Sequence, residues 1–167
     1  RLKKLIEDFL TLSRKGQIDY QEEIFTTKSL LLEIKSSFEI DSSNKIEIEG
    51  DDNLHIKTNR FALREILNIL VENAIKYSPK SSMVLIKYDK KEIQVIDQGI
   101  GISDNEKAKV FNRFYQVEKS RTNHTGNGIG LAIAQQYAQI INAEIYISDN
   151  LPNGTIFHLS FKNVNEK

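Results

Sequence analysis

Asp97 ends a β-type run and is followed by Gln98–Gly99–Ile100–Gly101, giving the pattern D-x-G-x-G. Glycines there let the chain turn sharply with positive φ and let backbone approach a ligand, and a carboxylate at the strand end accepts a hydrogen bond from an exocyclic amine. A plain Asp–Gly turn after a strand fits the same letters. A second run, Gly126–Asn127–Gly128–Ile129–Gly130–Leu131, leads straight into a helical pattern. Small residues at alternate positions expose successive N–H groups at a helix N-terminus, where unpaired donors and the helix dipole favour phosphate. A hinge without any ligand would use the same residues. Two other phosphate motifs are excluded: G-x-G-x-x-G needs glycine where Leu131 stands, and no G-x-x-x-x-G-K-[ST] occurs. The third element is Glu72–Asn73–Ala74–Ile75–Lys76–Tyr77, where helical spacing sets Ile69, Asn73, Lys76 and Tyr77 along one strip. Asn73 offers a neutral oxygen to a hard cation such as Mg²⁺, and Lys76 a point charge to phosphate. An asparagine within an apolar helical run also needs a partner if it is buried.

These groups must be held by a folded scaffold, and composition allows one. The chain has 167 residues, 40% hydrophobic and 28% charged, enough for a core of its own. Lys+Arg and Asp+Glu both number 23, so no net basic field draws a nucleic-acid backbone, and nucleic acid is not an expected partner. Without cysteine, disulfides and thiolate metal sites are excluded, and the scattered His55, His124 and His158 have no metal-ligand spacing. No run approaches the roughly 20 apolar residues that span a bilayer. The chain is expected to be soluble and cytoplasmic, as part of a longer, membrane-anchored parent.

Residues 2–12 carry a narrow helical stripe of Leu2, Leu5, Ile6, Phe9 and Leu12. The end of a longer bundle helix and a terminal helix folded on this domain both fit it. A short strand at Ile24–Thr26 precedes a helix from Thr27 to about Phe38. Lys45–Glu49 and Leu54–Lys57, around Gly50–Asp51–Asp52–Asn53, are expected to form a hairpin. Asn59–Tyr77 is the strongest helix, closed by Pro79. Met83–Tyr88 and Glu92–Asp97 are expected as antiparallel neighbours, and Glu144–Ser148 and Thr155–Phe161 as a second strand pair. Between Gly101 and Gly126 lies a long, weakly patterned segment with one short helix expected near Asn105–Phe114, and another helix begins near Gly128. The tract Glu118–Thr125 is too polar to offset its ordering entropy, so residues from about Ser103 to Gly126 are expected to form a lid that a ligand orders.

In this order the pieces resemble the catalytic domain of sensor histidine kinases, in the superfamily shared with gyrase-type ATPases. NAIKYS looks like the N box, DQGIG like the first glycine box, VFNRFYQ like the F box, GNGIGLAIA like the second glycine box and NGTIFHLSF like the closing strand motif. RLKKLIEDFLTLSR is similar to the end of a second dimerisation helix. The resemblance implies an α/β fold, a two-layer α/β sandwich of the Bergerat type, with a mixed sheet, helices on one face and an ATP lid. It implies a division into a helix end (residues 1–15), a linker (16–23), the catalytic domain (24–163) and a tail (164–167).

ATP and Mg²⁺ are the implied cofactors. Asp97 would bond the adenine amino group with Thr155 assisting through water, and Asn73 would ligate the metal. Lys76 would lie near phosphate and Tyr77 near the nucleotide. Gly99, Gly101, Gly126, Gly128, Ile129, Gly130 and Leu131 would line the glycine boxes, while Phe111 and Phe114 would anchor the lid. Two departures stand out. Ile69 occupies the position where many members carry a second asparagine and gyrase-type ATPases a catalytic glutamate, and no acceptor motif is present. The implied reaction is phosphoryl transfer to a histidine on a separate dimerisation domain, as a step of two-component signalling through a response regulator. The chain alone is expected to be monomeric and its parent a homodimer. Two alternatives remain open: a nucleotide-binding regulatory module without transfer, and a chaperone- or gyrase-like ATPase, which Ile69 disfavours.

Overall fold

The longest helix forms because its start, its buried face and its stop are all written locally. Asn59 caps it by accepting the N–H of Ala62 at 2.8 Å, and Leu63, Ile66, Leu67, Leu70, Val71 and Ala74 supply a fully buried stripe. Ser78, held extended before Pro79, ends it. Burying each leucine or isoleucine of that stripe contributes roughly 1.5–3 kcal/mol.

The computed structural model describes residues 21–40, 43–117 and 127–162. The expected helix over residues 1–15, most of the linker, the tail, Gly126 and the lid tract from Glu118 lie outside them. In chain order the elements are β1 (Glu23–Thr26), α1 (Thr27–Glu39), β2 (Lys45–Gly50), β3 (His55–Thr58), α2 (Arg60–Tyr77), β4 (Met83–Tyr88) and β5 (Glu92–Ile96). Then come α3 (Asp104–Lys107), a 3₁₀ turn at Lys109–Phe111, α4 (Gly130–Ile140), β6 (Ala143–Asp149) and β7 (Thr155–Phe161). The five-stranded sheet runs β2-β4-β5-β7-β6, with β2 parallel to β4 and the other pairs antiparallel. Helices α1, α2 and α4 bury their stripes against Ile46, Val84, Ile86, Ile93, Val95, Ile145, Phe157 and Leu159 of that sheet. The two-layer α/β arrangement with a mixed sheet is therefore the observed fold.

The expected hairpin of β2 and β3 does not form. The turn exists, with the N–H of Leu54 donating to Asp51 O at 3.0 Å, but β3 pairs with β1 in a separate two-stranded sheet. β2 pairs instead with β4, placing Ile46 beside Val84, both fully buried. A parallel partner requires a crossover of about a dozen residues or more, which α2 supplies. Burial chose the partner, and a local turn signal carries no information about that.

The short helix expected near Asn105–Phe114 is split into α3 and the 3₁₀ turn. Lys107 fixes α3 by ion pairs to Asp104 at 2.6 Å and to Asp149 at 2.9 Å, at the end of β6.

Candidate functional site

Asp97 follows β5 directly, and its backbone continues the ladder to β7: its N–H donates to Thr155 O at 2.9 Å. The residue is 2% exposed. Carboxylate Oδ1 accepts the N–H of Gly99 at 2.8 Å and that of Thr155 at 3.0 Å. Among the described residues no donor reaches Oδ2. Burial pushes the Asp97 carboxyl above its usual value, and the two backbone N–H bonds pull partly the other way. The result is a buried acid with one oxygen satisfied by the fold and one left to receive a donor from elsewhere.

The glycine pattern around Asp97 has a steric cause. A Cβ on Gly99 would stand 2.6 Å from the carbonyl oxygen of Tyr77, so the turn after β5 presses against the end of α2. Gly154 has φ +129°, and a Cβ there would stand 2.0 Å from Asp97 O. Only glycine lets the β6–β7 hairpin close on the Asp97 main chain. That carbonyl takes a hydrogen bond from the side-chain amide of Asn150 at 2.7 Å. Asn150 does not stand out in the sequence, because an Asn- and Gly-rich stretch between strands reads simply as a turn; Gly154 belongs to the closing strand motif.

Along α2 the expected strip is present. Asn73, Lys76 and Tyr77 are half-buried, and the Asn73 side chain has no hydrogen-bond partner among the described residues. Lys76 Nζ donates to the Tyr77 hydroxyl at 2.9 Å and lies 4.6 Å from the ring centroid. One turn before Asn73, Ile69 reaches the start of α4: its Cγ2 would stand 3.4 Å from a Cβ on Gly130. Ile129 is buried, Leu131 half-buried, and among the described residues no side-chain cap bonds the first turn of α4. Its leading N–H groups are thus left as donors beside the α2 strip. Gly128 O accepts the N–H of Phe114 at 2.7 Å, which ties the middle of the segment between Gly101 and α4 to its end.

Phe114 corrects one expectation. The residue is 64% exposed and lies outside the core of the described residues; its backbone makes the bond, in a positive-φ conformation. Phe111 does pack against the core. Gly101 and Thr155 flank the Asp97 turn as expected, with Thr155 buried. A cleft of about 540 Å³ lies beside this turn, lined by Ile100, Gly101, Asn150, Leu151 and Gly154 among others. Neither Asp97 nor Asn73 lines it, so the cleft lacks the polar groups of the site. Among the described residues no group of His, Cys, Asp or Glu forms a metal cluster. No described helix is long and apolar enough to cross a membrane.

Residues 58–165 match the family of histidine kinase-, DNA gyrase B- and HSP90-like ATPases. The chain is 35% identical, over 72% of its length, to the sensor protein CiaH of Streptococcus pneumoniae. It is 32% identical, over 96% of its length, to the signal transduction histidine-protein kinase ArlS of Staphylococcus aureus. It spans only 29% and 38% of those proteins. Among solved structures it resembles full-length ShkA in complex with AMPPNP, with a TM-score of 0.74 and 22% identity over 95% of this chain and 35% of that one. The histidine kinase AdeS of Acinetobacter baumannii gives a TM-score of 0.72 and 22% identity, over 97% of this chain and 79% of that one. At such identities the structural likeness establishes the fold. The chain therefore belongs to the histidine kinase-, DNA gyrase B- and HSP90-like ATPase family, as an ATP-binding catalytic domain of the sensor histidine kinase kind.

Proposed function

We propose that this domain binds ATP–Mg²⁺ and presents the γ-phosphoryl group to a histidine on the dimerisation domain of a larger, dimeric sensor kinase, which passes it to a response regulator. The observation that carries the proposal is the half-satisfied Asp97: Oδ1 is held by two backbone N–H groups while Oδ2 has no described donor. An exocyclic amino group is the donor that fits a buried carboxylate at the end of a strand. Thr155 lies buried beside it to hold a bridging water.

The other free polar groups fit the rest of a nucleotide. Asn73 offers its unpartnered amide oxygen to the metal, and the uncapped start of α4, from Gly128 through Leu131, offers N–H groups to phosphate. Lys76 supplies an ammonium once it leaves the Tyr77 hydroxyl. When bound, ATP–Mg²⁺ supplies the transferable group and neutralises the charge on its oxygens. The protein's part is positioning and electrostatic stabilisation. Residues 1–15 belong on this reading to the dimerisation helix, and the parent is held at a membrane.

One of the chain's histidines, His158, is poorly placed as an acceptor. Both ring nitrogens of His158 are engaged, Nε2 with Ser148 Oγ at 2.7 Å and Nδ1 with Glu92 Oε2 at 3.1 Å, under the stacked ring of Tyr146. His55 has Nδ1 2.8 Å from Asn53 O. His124 lies outside the described residues.

Incubation of the chain with γ-labelled ATP should give no acid-labile phosphoprotein until an acceptor-containing dimerisation domain is added. Labelling of the chain by itself would refute the separate acceptor. Ile69 favours a second reading: an apolar side chain fills the space between α2 and the start of α4. Binding without transfer after reconstitution would support a regulatory module, and rapid turnover without acceptor would support an ATPase.

A further inference from the structure

The role of Asn150 follows from what it holds. Asp97 is gripped on three sides: its N–H by Thr155 O, its Oδ1 by the N–H groups of Gly99 and Thr155, and its carbonyl oxygen by Asn150 Nδ2 at 2.7 Å. Neither of the first two grips bonds the carbonyl of the peptide after Asp97. That peptide leads within two residues to Gly99, whose N–H sets the plane of the carboxylate. Close packing of Gly154 crowds one side of the Asp97 carbonyl, so the donor there is the Asn150 amide. Asn150 is itself fixed by its N–H, which donates to Gly154 O at 3.1 Å. The β6–β7 hairpin thereby closes a ring of hydrogen bonds around one carboxylate.

We propose that Asn150 is a positioning residue for base recognition: by holding the Asp97 main chain it aims Oδ2 at the exocyclic amino group of the bound purine. The inference rests on the reading that Asp97 takes the adenine amino group. Asn150 touches no ligand in this scheme. Its effect is confined to the one interaction that Asp97 makes, and that separates it from a residue that merely stabilises the hairpin. Asn150 also lines the open cleft beside the turn, so water can fill the space left by a smaller side chain.

The test compares ATP with purine riboside triphosphate, which lacks the 6-amino group, by calorimetry on the full chain. Asn150→Asp replaces the donating amide by an oxygen of the same shape, and Asn150→Ala removes it. Each should weaken ATP binding by roughly tenfold, part of what a charge-assisted hydrogen bond contributes, and leave the affinity for purine riboside triphosphate within about twofold. Equal losses for both nucleotides, or no loss for either, would overturn the proposal. Loss of the folded state in both variants, seen by circular dichroism, would assign Asn150 to holding the fold and would also overturn it. Wild-type protein and Asp97→Asn separate the two readings. If wild-type protein does not prefer ATP over the analogue, or Asp97→Asn keeps that preference, the assignment of Asp97 fails and Asn150 falls with it. If the preference is present and depends on Asp97 but survives in the Asn150 variants, only the positioning role is wrong.

Discussion

Asp97→Asn isolates the carboxylate without disturbing the turn around it. Both bonds that the fold makes to the side chain end on Oδ1, from Gly99 at 2.8 Å and Thr155 at 3.0 Å. An asparagine oxygen can accept both, which sets the amide nitrogen where Oδ2 was. The atom facing the ligand changes from acceptor to donor and now meets the donating amino group of adenine. The loss is that of a hydrogen bond to a charged group, roughly 1.5–3 kcal/mol, or about 10- to 150-fold in Kd. Stability should move the other way. Burial raises the folded-state pKa of Asp97, so its contribution to stability is complete below the unfolded pKa and is lost as pH rises through the folded value. At neutral pH the ionised carboxylate is therefore a cost that the variant escapes, and Asp97→Asn should melt no lower than wild type. The difference should narrow on acidification toward the ordinary aspartate range. ATP affinity of the wild type should fall more steeply than that of the variant in that same acid window as Oδ2 becomes protonated. Paired calorimetry and thermal melts across pH measure both. Unchanged ATP affinity in the folded variant removes Asp97 from the site, and a large drop in melting temperature shows that the charge serves the fold instead.

Two further substitutions probe the neighbouring groups. Asn73→Ala should change stability by less than about 1 kcal/mol, since no described bond is lost, yet abolish the Mg²⁺-dependent part of nucleotide affinity; titrations with Mg²⁺ and with a chelator that show equal losses would argue for a structural asparagine. Gly154→Ala should lower stability by about 2–4 kcal/mol, because the left-handed backbone is strained for alanine and its Cβ would stand 2.0 Å from Asp97 O; a denaturant midpoint close to wild type would show that the hairpin can move away.

What the sequence made readable divides along the line between local and non-local causes. Helix α2 is complete in its own residues, from the Asn59 cap to Pro79, and the strand before Asp97 ends where the glycines begin. The pairing of β2 with β4 was not readable, because Ile46 finds Val84 only after α2 has carried the chain across the sheet. Phe114 shows the same limit on a smaller scale. Its aromatic ring suggested packing, but the bond that it makes to Gly128 belongs to its backbone.

The site divides in the same way. The residues proposed to face a ligand, Asp97 and Asn73, were visible as candidates because a carboxylate between a strand and two glycines can accept from an exocyclic amine, and an amide in an apolar helix needs a partner if buried. Residues that aim those groups were not visible. Asn150 looks like part of any hairpin turn, and its contact with Asp97 exists only because β7 lies beside β5 and brings the hairpin onto Asp97. Since Asp97 Oδ1 is committed to the backbone, the direction of Oδ2 is set by the main chain that carries it. If Asp97 takes the adenine amino group, as proposed, the hairpin holding that main chain is part of the recognition site, although none of its side chains has to meet the base.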